Sequence, residues 1–316
     1  MKKKILSLCL IISLCFALAS CGESEISGNL KIGTLVGPTG MGLIDLKDNE
    51  NIDLELYQAP TDAVQKLISG DLDVACLPSN LGGTLYAKTN GNIQILTTVV
   101  NGVLYIVENG EELQSLQDLK GKTIIGSGKG GTPEYVLEAL LKSEGLKLGA
   151  DVKVKWLENH ADVAQKVAST NGAIGLLPEP QVSAITSKAK TVKVALNLNN
   201  LWQELTDQEL PMGILVAKKD YVESNQENIE ALLSLVAESV EDVKDASDEV
   251  VQKIVEAGIV PDAELCKKVI PNCSLTCMSA EDNKATISAF YEKLFEADPS
   301  SIGGAMPADD IYYGIK

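Results

Sequence analysis

Twice along the chain, a β-branched run ends in a glycine-rich turn that opens directly into a helix-like run. The first is "LKIGTLVGPTGMGL", residues 30–43, and the second is "KTIIGSGKGGTPEYVL", residues 122–137. Each is followed by a unit in which a small turn leads into an apolar strand, a proline and a polar loop. These units are "SGDLDVACLPSNLGG" at 69–83 and "STNGAIGLLPEPQVSAI" at 169–185. Strand candidates fall at 30–35, 52–58, 72–77, 93–107, 122–126, 152–157, 173–177, 191–195 and 213–218. Helix candidates fall at 61–69, 80–89, 133–145, 161–168, 179–187, 227–244, 247–257 and 281–296. Alternation of this kind predicts α/β lobes with mostly parallel sheets. Ligands of open α/β sheets sit at the carboxyl ends of strands. Two facing lobes would therefore put four strand-to-helix turns around one cleft.

Gly126, Gly128 and Gly131 have the G-x-G-x-x-G spacing of a dinucleotide fingerprint. Lys129 is followed by Gly130 rather than Ser or Thr, so the turn is not a P-loop. Nor does it begin a complete nucleotide domain. What remains is a strand end, a backbone freed by glycine, and a helix N-terminus facing a crevice. No cofactor is expected.

The chain opens "MKKKILSLCLIISLCFALASC". Lys2, Lys3 and Lys4 form a basic start, and the apolar run that follows is too short for a mature membrane span. Leu18-Ala19-Ser20-Cys21 is similar to the lipobox of bacterial lipoproteins. Residues 1–20 are read as a signal peptide, Cys21 as the lipidated residue and 21–29 as a polar tether. The alternative is an ordinary secretory signal with an incidental Cys. The expected location is extracytoplasmic, with the lipid on Cys21 holding the protein to the cell membrane.

The formal net charge is −17, and loss of three leader lysines makes it more negative. That opposes nucleic acid and anionic headgroups as partners. Hydrophobic content of 45% supports real cores, and the length suits one two-lobed protein or two domains. All 27 basic residues are lysines; the chain has no arginine. Arginine is the usual bidentate clamp for carboxylate, sulfonate or phosphate. An anionic ligand must then be held by backbone N–H groups, hydroxyls, amides or lysine. Cys266, Cys273 and Cys277 cluster with no histidine nearby, which is poor for zinc. One local disulfide and free thiols both remain open there. Cys76, in "LDVACLP", reads as a buried small hydrophobe.

The order "GPTG", "DAVQKLISGDLDVACLPSN", "LYAKTNGNIQIL", "SLQDLKGKTI", "GKGGTPEYVL", "LLPEP" and "SIGGAMPADDIYY" covers the mature chain. With the lipobox, it resembles the solute-binding lipoproteins of bacterial ABC importers. Among these it is similar to the nitrate/sulfonate/taurine-type proteins, which include binders of thiamine-precursor pyrimidines. The resemblance implies a type II periplasmic-binding fold, two α/β lobes on a two-strand hinge with a ligand cleft between them. It implies a small-molecule solute, ABC permease and ATPase partners, and a monomer without enzymatic activity. Lobe 1 would be 28–106 plus 213–316, and lobe 2 would be 107–212. The crossings would fall at "VVNGVLYIV" and "LPMGILVAKK", where Gly102 and Gly213 suit the dihedral change of closure.

The expected ligand contacts follow from the four turns. Pro38, Thr39, Gly40 and Met41 offer N–H groups and a hydroxyl. Ser79 and Asn80 serve either as helix caps or as ligand partners. Lys129, Gly130, Gly131 and Thr132 form the second-lobe loop, with Thr132-Pro133 read as N-cap and N1. Lys129 is either the cation that no arginine supplies or a solvated loop lysine. Glu179 would accept from an amine, an aminopyrimidine or a hydroxyl, with a solvated loop acid as the alternative. Tyr105, beside Gly102, is the preferred stacking aromatic. His160, the one histidine, is placed near the rim, with no serine or cysteine partner evident. Metal sites and catalytic residues are expected to be absent. Two other functions stay open: an enzyme on the same fold, such as a menaquinone-pathway dehydratase or a pyrimidine-forming enzyme, and a ligand-sensing subunit of a membrane receptor.

Overall fold

The computed structural model describes residues 25–315. The signal peptide, the lipidation site at Cys21 and the first part of the tether lie outside the described residues.

In chain order the first part runs β1 (Leu30–Leu35), α1 (Pro38–Gly42), β2 (Ile52–Tyr57), α2 (Pro60–Ser69), β3 (Val74–Pro78), α3 (Asn80–Lys88), β4 (Gln94–Val100), β5 (Leu104–Asn109), β6 (Thr123–Gly126) and α4 (Thr132–Ser143). The rest runs β7 (Lys153–Trp156), α5 (His160–Ala168), β8 (Ala173–Pro178), α6 (Gln181–Lys188), β9 (Val192–Asn197), α7 (Leu198–Thr206), β10 (Gly213–Ala217), α8 (Lys219–Ser224), α9 (Gln226–Asp245), α10 (Asp248–Glu256), α11 (Ala263–Val269), β11 (Leu275–Ser279) and α12 (Lys284–Ala297).

The strands form two sheets. One has six strands in the order β11-β4-β10-β3-β1-β2, the other five in the order β7-β6-β8-β5-β9. Both are mixed, which corrects the expectation of mostly parallel sheets. β1 runs parallel to β2 and β3, and β6 parallel to β7 and β8. β10 is antiparallel to β3 and β4, and β5 antiparallel to β8 and β9. The reason is the chain path. The apolar run 93–107 is broken at 101–103, so β4 ends the first sheet's share and β5 enters the second from the opposite direction. β10 returns in the same way. The expected lobe boundary at 106/107 falls inside β5, while the chain leaves the first sheet at Val100.

Local chemistry sets the helix ends. α2 begins with Pro60 and stops at Gly70, whose φ of 86° suits a residue without Cβ. Asn159 caps α5 by accepting from Asp162 N–H, and Ser247 caps α10 by accepting from Val250 N–H. α9 buries Ile229, Leu232, Val236, Val240 and Val243 against the first sheet. Each such side chain contributes about 1.5–3 kcal/mol of burial.

A second cluster joins the two sheets. It runs from Leu77, Ile95 and Ile214 of the first sheet through Ile287, Phe290 and Leu294 of α12. It continues to Leu140 of α4, Trp202 of α7 and Leu176 of β8. The Trp202 and Phe290 rings lie 5.6 Å apart between centroids in a tilted pair. The C-terminal helix thus fastens one half of the molecule to the other. Among the described residues no helix is long and apolar enough to cross a membrane.

Candidate functional site

All four predicted turns lie at the carboxyl ends of parallel strands: β1 into α1, β3 into α3, β6 into α4, and β8 into α6. The turns after β3 and β6 meet directly. Thr132 Oγ1 donates to Asn80 Oδ1 at 3.1 Å, and Asn80 N–H donates to Thr132 Oγ1 at 3.4 Å. Asn80 Nδ2 donates to the carbonyls of Ser301 at 3.2 Å and Gly130 at 3.4 Å. Both side chains are buried, and neither caps its helix. That corrects the capping readings: Ser79 and Gly131 hold the N-cap positions, Pro133 is the second residue of α4, and the Thr132 hydroxyl is spent across the crevice. Ser79 is fully buried, and among the described residues its Oγ has no hydrogen-bond partner.

The turn after β1 is packed shut. Thr39 Oγ1 donates back to the Leu35 carbonyl at 3.2 Å. A Cβ on Gly40 would lie 2.6 Å from that same carbonyl oxygen, so only glycine fits. Met41 belongs to the first-sheet core, its Sδ 3.7 Å from Cys273 Sγ. Pro38 is half-buried.

The turn after β6 is open by contrast. Gly128 and Gly130 have φ of 78° and 74°, and Lys129 is exposed. Gly131 N–H closes on the Gly128 carbonyl at 3.0 Å. Gly130 N–H donates to Glu134 Oε2 at 2.6 Å. The group expected to meet an anionic ligand therefore already holds a carboxylate from the first turn of its own helix.

Glu179 follows β8 and is 3% exposed. Ser183 N–H donates to its Oε2 at 3.0 Å, and Ser183 Oγ to its Oε1 at 2.9 Å. Among the described residues no lysine pairs with it. Burial pushes its pKa up, and the Ser183 bonds oppose that rise. The solvated-acid alternative is thereby removed. Asn272, on the first-sheet side, donates to Ser183 Oγ at 3.1 Å. Tyr105 and Cys273 both feel the Glu179 charge; burial first, and then that charge, push their pKa values up.

Gly102 and Tyr105 also line a polar cavity where the chain crosses between sheets. A Cβ on Gly102 would lie 2.6 Å from the Asn199 side chain. The expected residues thus occupy four places: the packed turn after β1, the Asn80–Thr132 contact with the loop beside it, the surroundings of Glu179, and the crossing.

One pair was missed from the sequence. Ser127 Oγ lies 2.5 Å from His160 Nδ1, joining the end of β6 to the first turn of α5. Burial lowers the His160 pKa to about 4. No sequence spacing announces this pair, because each residue sits singly after a different strand. Among the described residues no carboxylate hydrogen-bonds the ring, so the third member of an acyl-transfer triad is missing. Among the described residues no group of three or more His, Cys, Asp or Glu side chains could hold a metal ion, and the described cysteines are free thiols.

Two lobes of mixed α/β sheet, entered and left through adjacent crossings, constitute the periplasmic-binding-protein fold. The chain belongs to the NMT1/THI5-like family, which matches residues 48–250. It is 20% identical to an ABC transporter protein from Parabacteroides distasonis, with a TM-score of 0.76 over 90% of this chain and 98% of that one. The alkanesulfonate-binding protein SsuA from Xanthomonas axonopodis pv. citri, solved with MOPS bound, has 16% identity and a TM-score of 0.70 over 90% and 98% of the two chains. The periplasmic aliphatic sulphonate binding protein SsuA from Escherichia coli has 18% identity and a TM-score of 0.68 over 88% and 91%. YtlA of Bacillus subtilis (strain 168), provisionally described as a binding protein, is 24% identical over 230 residues. That match spans 68% of this chain and 66% of YtlA, just under two thirds of its length.

Proposed function

We propose that the protein is the solute receptor of an ABC importer. It acts outside the cytoplasm as a monomer, held to the membrane by lipid on Cys21, and delivers its ligand to a permease driven by an ATPase. The two lobes close on the ligand, and the permease reads the closed form. Catalysis has no part in this reading. The family, the two-sheet fold and the leader-like pattern of residues 1–20 in the sequence support it.

The observation that carries the ligand reading is Glu179. A buried carboxylate without a counter-ion is costly unless something supplies charge or donors. Ser183 supplies two donors but no charge; the solute supplies the positive charge or a further donor, as an ammonium or the amino group of a heteroaromatic ring. The orphan Ser79 hydroxyl gives the solute a second polar contact, and the charge of Lys129, with the N–H of Gly130 once Glu134 is displaced, serves any anionic end. Taurine and 4-aminopyrimidine carry the required donor; ethanesulfonate does not. A thermal-shift series is the test. The two donor-bearing probes raise the melting temperature of the wild type and leave Glu179→Gln unmoved, while ethanesulfonate moves neither. A response to ethanesulfonate alone, or to all three in Glu179→Gln, overturns the reading, and turnover of any probe overturns the receptor role.

A further inference from the structure

The cavity at the crossing has a volume of about 470 Å³ and does not include Glu179. Its wall comes from both crossings, from α7 and from β11, so an occupant would touch each segment that passes between the sheets. Asn197 and Asn199 are already committed to the scaffold. Asn197 Oδ1 accepts from Asn199 N–H at 3.0 Å, and Asn199 Oδ1 accepts from Leu104 N–H at 3.1 Å.

Other polar groups in the wall are free to bind. Asn101 is 8% exposed; its Nδ2 donates to Glu209, and among the described residues its Oδ1 has no partner. A buried acceptor left without a donor is uncommon and expensive. Around it stand the exposed side chains of Asn200, Gln203 and Glu209, the Thr276 hydroxyl and the half-buried Tyr105. Amides and hydroxyls both donate and accept. The wall contains one carboxylate and no lysine, and arginine is absent from the chain, so the wall offers an anion no opposite charge and favours an uncharged ligand.

We propose that this cavity is a second ligand site, taking an uncharged polyhydroxylated molecule of monosaccharide size. Its hydroxyls donate to Glu209 and, once the Asn101 amide turns its covered Oδ1 toward the cavity, to that oxygen as well, and they exchange hydrogen bonds with Asn200 and Gln203. Its less polar face lies on Tyr105. Because the ligand holds both crossings, it restrains the motion of the lobes without entering the Glu179 crevice.

Calorimetric titration of the full-length protein with D-glucose, D-ribose and myo-inositol tests the assignment. At least one of the three binds with millimolar or tighter affinity. Gln203→Ala and Glu209→Gln each weaken it about tenfold. Both positions are exposed, so folding is retained. Glu179→Gln leaves the affinity unchanged, which separates this site from the proposed solute site. Absence of heat with all three polyols overturns the proposal. So does affinity that survives both substitutions, or a response to ethanolamine with none to the polyols.

Discussion

The turns after β1 and β6 share one plan, a strand, glycines and a helix start, yet they end in opposite environments. After β1 the backbone folds onto itself: Gly40 touches the Leu35 carbonyl and Met41 enters the core. After β6 the glycines adopt positive φ in the open, and a Cβ on Gly130 would meet nothing within 4 Å. The difference shows that glycine in this pattern has two separate uses. In one it permits close approach; in the other it permits a backbone angle that other residues resist.

Substitutions can break that contrast. The largest effect belongs to Gly40→Ala, where the new Cβ meets a backbone atom that cannot move aside. A loss of about 3 kcal/mol is expected in urea unfolding. Thr132→Val follows at about 2 kcal/mol, because it leaves Asn80 Oδ1 buried without a donor. Double-mutant analysis with Asn80→Leu should recover part of that loss, and simple additivity would show that the two side chains are not coupled. Gly130→Ala costs about 1 kcal/mol, from strain in the left-handed region alone. An equal loss at Gly40 and Gly130 would erase the distinction between the two turns.

An effect of a different kind is confined to acid. Burial holds His160 at about 4 in the folded chain against an ordinary 6.5, so the unfolded chain takes up the proton first. The stability this gives is full above pH 6.5 and drains as the pH falls toward about 4. His160→Gln should flatten that part of the profile and leave the remainder parallel to the wild type.

Local chemistry was legible in the sequence. Prolines, glycines and β-branched runs mark the strand-to-helix units, and the apolar stripe of α9 is periodic over its whole length. Elements whose reason is remote were not legible. α7 buries only Leu198 and Trp202, and its place depends on Phe290 far along the chain. α11 is a short helix set by the Asp262 cap, and β11 is an edge strand that gains its role by pairing with β4. The same limit governs the candidate site. The turns were found one by one, but the bonding of Asn80 to Thr132 and of Ser127 to His160 depends on how strands are ordered in space. Glu179 stood out as a carboxylate between prolines; its burial depends on Ser183 and on the lobe opposite.

The contact between Gly130 and Glu134 has a consequence for affinity. The Glu134 carboxylate is a tethered competitor, one helical turn away from the N–H it occupies. Tethering on that scale gives an effective concentration of millimolar order. A free anion must outcompete that resident carboxylate before the turn contributes anything to binding. The loop therefore sets a threshold: weakly held anions leave it undisturbed, and only a ligand gripped elsewhere at the same time displaces the glutamate.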